Sequence, residues 1–418
     1  MKKYVGLLLM VALVLSMASL GLAKEKTVIT VTSWWDAESG SALDSFKKAF
    51  EAANPDIEVN FVKIPSGYGT KLLTMIAGGD APDVAMLAMD KIAPFASKNA
   101  LTSLDSFMEK EYPLNDLWPS LKKALQYKGK YYAVPRDATT NLLYYNKKLF
   151  DEAKVGYPND TWTWDNFLAA AQKLTRRDKS GIPTQYGFAF PTYSDGWYSF
   201  MLAAGGSMVN DERTRSTMND PAAIKAIEFL ADLKNKYHVA PDTTQANALG
   251  DPSEMFKAGK LAMMAEDVAA SSTFAESKDL SWDVAPIPLY KKGAKHASRI
   301  WTNTWALPRG AKHPEAAWKF LKFVGGPEGQ KIAAEFHMGV PAMMSIAKTR
   351  VFLDGIPAHK QLFLDAFAWG EPFPTFPEAN QYLAVYEREL DPVWNGQRTA
   401  AEAVAIIDKE ANSTIFSK

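Results

Sequence analysis

In the stretch TVITVTSWWDAESG, residues 27–40, five or six residues read as a buried strand and end in two adjacent tryptophans, Trp34 and Trp35. Asp36 and Glu38 follow at once. A strand alternates its faces, so neighbouring tryptophans cannot both enter one core. Flat aromatic surface beside carboxylates suits a pyranose ring. Its C–H faces lie on an aromatic plane, while its rim of hydroxyls takes charged acceptors and amide donors. The packing alternative puts Trp34 under the sheet and makes Asp36 the cap of the next helix, a common use of Asp.

Other residues of the same chemistry recur directly after segments that read as strands. They are Asp90 in MLAMDKIAPFA, Arg136 and Asp137 in VPRDATTN, and Glu266 and Asp267 in MMAEDVAAS. RIWTNTWAL adds Trp301, Asn303 and Trp305, of which Asn303 offers both donor and acceptor and Trp301 a second stacking platform. PTYSDGWYS, read as a loop, crowds together Tyr193, Asp195, Trp197 and Tyr198, more such residues than a connecting loop needs. Two adjacent acids at 266–267 favour a ligand with many hydroxyl donors, or a cation. They repel an acidic sugar unless Lys63, Lys91, Arg136 or Arg299 compensates. Each has a plain structural alternative: a capping Asp90, a solvated Lys91, an Arg136–Asp137 salt bridge. Trp369, Glu371 and Phe373 near the C-terminus lie in a Pro-rich loop that reads either as a packed aromatic loop or as the closure of one end of the site.

The elements that must position these residues are legible in the periodicity. SALDSFKKAFEAANP places Leu43, Phe46, Ala49, Phe50 and Ala53 on one helical face and ends at Asn54-Pro55. DIEVNFVKI alternates as a strand, YGTKLLTMIAGG is a second helix stopped by Gly78-Gly79, and PDVAMLA is a short apolar strand. Strands alternating with helices at this spacing indicate an α/β domain with a largely parallel sheet. Strand-like KYYAVP and TTNLLYYN follow, then a helix capped at Thr163, and from Lys348 onward the chain reads as mainly helical. No repeat or low-complexity hinge divides the 418 residues, so two domains would be joined by more than one crossing.

Composition narrows the class. Residues 1–23 combine Lys2 and Lys3 with an apolar run and a small-residue GLA site, the pattern of a cleaved secretory signal. The chain has no cysteine, so a lipoprotein anchor, thiol catalysis and thiolate metal sites are not expected, and its length supports a core without disulfides. With 47 basic and 47 acidic residues and no basic run, it carries no nucleic-acid footprint. His238, His296, His313, His337 and His359 are scattered, and neither Gly-x-Ser-x-Gly nor His-Glu-x-x-His occurs.

The ordered set of stretches resembles the bacterial extracellular solute-binding proteins that include the maltodextrin-binding protein, the capture components of ABC importers. The resemblance is carried by ITVTSWWDAESGSALDSFKKAFEAANPDIEVNF, AGGDAPDVAMLAMDKIAPFASKNALTSL and YKGKYYAVPRDATTNLLYYNKKLFDEA, then TWTWDNFLAAAQKL, FKAGKLAMM and LPRGAKHPEAAWKFLKFVGGPEGQ. It implies an α/β, two-lobed periplasmic-binding-protein fold of the type II kind, with a mostly parallel, helix-flanked sheet in each lobe and a ligand cleft between. The implied lobes are residues 24–136 plus 303–347 and residues 137–302 plus 348–418. In open α/β sheets the crevice lies at the carboxyl ends of the strands.

On this resemblance the ligand set is Trp35, Asp36, Glu38, Tyr68, Asp90, Lys91, Arg136, Asp137, Tyr193, Asp195, Trp197, Glu266, Asp267, Trp301 and Asn303. Lys91 stands where relatives more often carry arginine and so lacks the bidentate fork. Glu266-Asp267 replaces a glycine-containing turn with an aromatic. The implied function is hinge-closing capture of a mono- or oligosaccharide for a membrane permease, by an exported monomer without cofactor or metal. A glycerophosphodiester, polyamine or uronate binder is the alternative. An exported glycosidase would need two carboxylates at a set separation. Iron capture by Tyr131-Tyr132 or Tyr144-Tyr145 is disfavoured, because strand alternation sends each pair to opposite faces.

Overall fold

The computed structural model describes residues 25–417, without the side chains of Asp195, Thr243, Thr244 and Asn247. The signal-peptide expectation for residues 1–23 lies outside the described residues.

Two sheets organise the chain. The first has the strand order Ile57–Lys63, Thr27–Ser33, Val84–Ala88, Asn303–Ala306, Ala133–Pro135. The second runs Gly370–Pro372, Ser298–Trp301, Thr139–Asn146, Leu261–Asp267, Pro183–Ala189, Arg176–Arg177, and Trp282–Ala285 also pairs with Thr139–Asn146. Both sheets are mixed, where mostly parallel ones were expected. Thr27–Ser33 is parallel to both its neighbours. Asn303–Ala306, however, returns from the second sheet and enters the first antiparallel to both strands it meets. Thr139–Asn146, which leaves the first sheet, runs antiparallel to all three of its partners.

Helices form where the sequence offers an apolar face and a cap. Ser41 Oγ accepts from Asp44 N at 3.2 Å and starts the helix Ala42–Ala53, which buries Leu43, Phe46 and Phe50. Ala53 of the expected face is exposed at the last residue of that helix. Thr163 and Asn166 form a reciprocal capping box on Trp164–Leu174. Strand alternation splits Tyr144 and Tyr145 between two separate hydrophobic cores. Asp83 accepts from Thr30 N at 2.9 Å and from His313 N at 2.8 Å, tying the start of Val84–Ala88 to its neighbouring strand and to the returning chain.

The helix Trp164–Leu174 packs directly on Pro183–Ala189. A Cβ at Gly187 would stand 2.0 Å from Ala171 O, so only glycine lets the helix backbone approach this closely. Gly187→Ala is expected to destabilise the protein by about 1–3 kcal/mol, read as a lower urea midpoint. Gly156→Ala, where an added methyl meets nothing within 4 Å, should change stability by no more than about 0.5 kcal/mol.

Candidate functional site

The chain passes from first sheet to second between Pro135 and Thr139, and back between Trp301 and Asn303. These crossings lie side by side. Arg136 N donates to Asn303 O at 2.8 Å, and Thr302 Oγ1 donates to Asp137 O at 2.6 Å. Ala138 exchanges two 2.8 Å backbone bonds with Val340, and Gln330 Nε2 donates to Pro135 O and Arg136 O.

Arg136 and Asp137 are 2% and 1% exposed and pair with each other, Nε to Oδ2 at 2.7 Å and Nη2 to the same oxygen. Asp137 Oδ1 accepts from Asn303 N at 3.0 Å. Both residues were expected to meet ligand. In the structure both carboxylate oxygens of Asp137 are engaged at the joint, and the Arg136 guanidinium carbon lies 4.3 Å from the ring centre of Trp35. Asn303 is half-buried, and its backbone serves the crossings.

Trp35 is 42% exposed just past the carboxyl end of the first sheet's Thr27–Ser33. Its edge meets Trp34 at 6.1 Å, and Trp34 meets Tyr68 edge-on at 5.4 Å. One tryptophan therefore packs while its neighbour presents surface. Tyr68 has its hydroxyl 3.0 Å from both Thr32 O and Thr32 Oγ1, and burial pushes its phenol well above the ordinary range. Trp34, Tyr68, Leu87, Ala88 and Lys91 line a recess of about 270 Å³ beside them.

Polar groups rim this aromatic row. Asp36 pairs with Lys63 at 2.8 Å, both exposed, and Ser41 rather than Asp36 caps the following helix. Glu38 is exposed. Asp90 is buried in the first turn of Met89–Ser97, with Oδ2 2.6 Å from Lys91 Nζ. Its Oδ1 has no hydrogen-bond partner among the described residues. Lys91 Nζ also donates to Asn380 Oδ1 at 2.5 Å, at the start of the helix Ala379–Trp394 that packs on the second sheet's side. Sequence reasoning missed Asn380, because nothing local marks a contact between residues 289 apart.

The second wall is built at the matching strand ends. Leu261–Asp267 and Pro183–Ala189 are parallel, so Glu266 and Asp267 come level with the turn after Ala189. Glu266 and Asp267 are half-buried, and Asp267 Oδ1 accepts from Ala269 N at 2.8 Å. Trp301 is half-buried with the Arg299 guanidinium 4.5 Å from its ring centre. The expected loop at 191–199 is corrected: from Ser194 it is the helix Ser194–Ala203, whose Gly196 sits where a Cβ would meet Pro191 O at 2.1 Å. That helix turns Trp197 inward, 1% exposed, with Nε1 bonded to Thr192 O and its ring against Tyr386. Trp197 therefore offers no ring surface, whereas Tyr193, the residue before the helix, is 52% exposed. The side chain of Asp195 lies outside the described residues. Among the described residues no group of three or more His, Asp or Glu is placed to hold a metal, and no helix is long and apolar enough to cross a membrane.

Residues 34–331 match the family described as bacterial extracellular solute-binding protein. An ABC substrate-binding protein of Listeria monocytogenes, solved in complex with cycloalternan, superposes with a TM-score of 0.83 at 30% identity, covering 94% of this chain and all of that one. The mannitol-binding protein of Pseudomonas aeruginosa is 26% identical over 310 residues, 70% of this chain and 68% of its own. The maltotriose-binding protein of Pyrococcus abyssi is 25% identical over 379 residues, 88% and 76% of the two chains.

Removing one partner of the buried crossing pair leaves the other charge uncompensated. Asp137→Ala is expected to destabilise the protein by about 3–5 kcal/mol in urea unfolding. A loss below about 1 kcal/mol would contradict a structural use of the pair.

Proposed function

This chain belongs to the bacterial extracellular solute-binding proteins, and we propose that it captures a mono- or oligosaccharide between its two sheets and delivers it to an ABC permease. The observation that carries the reading is Trp35, a partly exposed indole held by Trp34 and Arg136 at the carboxyl end of a sheet strand. A sugar ring has the apolar face for that indole and the hydroxyls for Asp36, Asp90, Lys91, Glu266 and Asp267. The relatives named for maltotriose and mannitol, and the cycloalternan complex, support a polyhydroxylated ligand.

The lobes are taken as residues 24–136 plus 303–347 and residues 137–302 plus 348–418, and the crossings at 135–139 and 301–303 as the hinge. One wall carries Trp35 and Asp90, the other Tyr193, Glu266 and Asp267, so a ligand touching both favours closure. The work is binding, without catalysis, cofactor or metal. The protein acts as a monomer outside the cytoplasm, exported on a cleaved signal and free of a lipid anchor.

A thermal-shift panel of neutral mono- to tetrasaccharides, uronates, glycerophosphodiesters and polyamines tests this reading. A true ligand at 100 times its Kd adds about 2.7 kcal/mol to stability. Trp35→Ala should weaken that ligand roughly thirtyfold, about 2 kcal/mol of binding, with the fold intact. A response only to charged solutes would overturn the sugar assignment, and small-angle scattering curves unchanged by ligand would overturn hinge closure.

A further inference from the structure

A cavity of about 500 Å³ opens on the second sheet's side, and no residue of the first sheet or its helices lines it. Its wall includes Phe190, Tyr193, Lys234, Asp251, Asp391 and Trp394. Lys234 occupies the last turn of the helix Pro221–Asn235 and is 6% exposed. Among the described residues its ammonium has no hydrogen-bond or ion-pair partner, and its nearest ring is Phe190, 5.7 Å from Nζ. Burial holds this ammonium below the ordinary lysine range, against the pull of Asp242 and Asp391. The side-chain stem is packed while the ammonium stands in the cavity wall. A packing use of this position would be served better by methionine or leucine.

The charges on the wall select the chemistry of the occupant. An anion would face the carboxylates of Asp251 and Asp391, and a cation would face Lys234. A neutral polyol answers both, accepting from the ammonium and donating to the carboxylates, while the buried Trp394 and Phe190 back the wall. The volume lies within the range of small-molecule sites. Thr192 and Tyr193 follow the carboxyl end of Pro183–Ala189, the end at which Glu266 and Asp267 stand, so the cavity adjoins the cleft.

We infer that this cavity is an accessory subsite for a further neutral sugar unit of an oligosaccharide whose other rings lie in the cleft. The inference rests on the sugar-binding reading above. Because one lobe supplies every lining residue, this subsite is complete before the lobes close.

The test is calorimetric titration of the full-length protein with neutral gluco-, manno- and arabino-oligosaccharides of one to four units. The wild type should gain affinity at the length that first reaches the cavity. Lys234→Met should lower affinity about ten- to hundredfold for that and longer sugars, and leave shorter ones unchanged. Its thermal midpoint should not fall. Asp391→Asn, which keeps the helix, should show the same length dependence in weaker form and serves if Lys234→Met does not fold. Equal loss at every length, no loss at any length, or tighter binding of uronic-acid oligomers would overturn the subsite alone. A wild type that binds no neutral sugar would overturn the sugar-binding reading and the subsite with it.

Discussion

Arg136 and Asp137 bring opposite charges together almost without water, beside the two points at which the chain passes between its sheets. A buried ion pair is seldom a net source of stability, but breaking one is expensive, so it pins the geometry around it. Asp137 holds Arg136 on one oxygen and the backbone of Asn303 on the other, which fixes both crossings to one another. The guanidinium then lies over Trp35, Trp35 in turn meets Trp34, and Trp34 meets Tyr68. The joint and the aromatic floor are thus consecutive links in one chain of contacts.

This arrangement separates two uses of polar residues that look alike in a sequence. Asp36, Asp90, Asp137, Glu266 and Asp267 all end or follow strands. Asp137 is wholly engaged by the protein, Asp36 is paired in solvent, and Asp90 keeps one buried oxygen without a partner. What distinguishes them is the partners each one meets, and those are a property of the assembled sheets.

Much of the fold was legible because periodicity and capping are local. The helices at Ala42–Ala53 and Trp164–Leu174 follow from their apolar spacing and their Ser41 and Thr163 caps. The split of Tyr144 from Tyr145 follows from strand alternation alone. The misreading at 191–199 arose because Ser, Asp and Gly in succession signal a turn. Here the backbone approach that Gly196 permits lets a helix begin instead, and rotation about that helix buries Trp197. Strand direction in the mixed sheets, the partners of Lys91 and the burial of Lys234 depend on contacts between distant segments, on which local patterns are silent. The strand ends on which the proposed cleft is placed were readable. Which side chains face it was not.

The bond from Lys91 to Asn380 spans the two sides without needing anything between them. In a protein that closes as proposed, a bond of this kind, where closure keeps it, adds the same increment for every occupant. Discrimination is a difference of affinities, to which a common factor contributes nothing. A molecule built this way separates how tightly it holds from how selectively it chooses. On the proposed reading, grip can drift with residue 380 while the palate, set by the aromatic floor and its polar rim, stays the same.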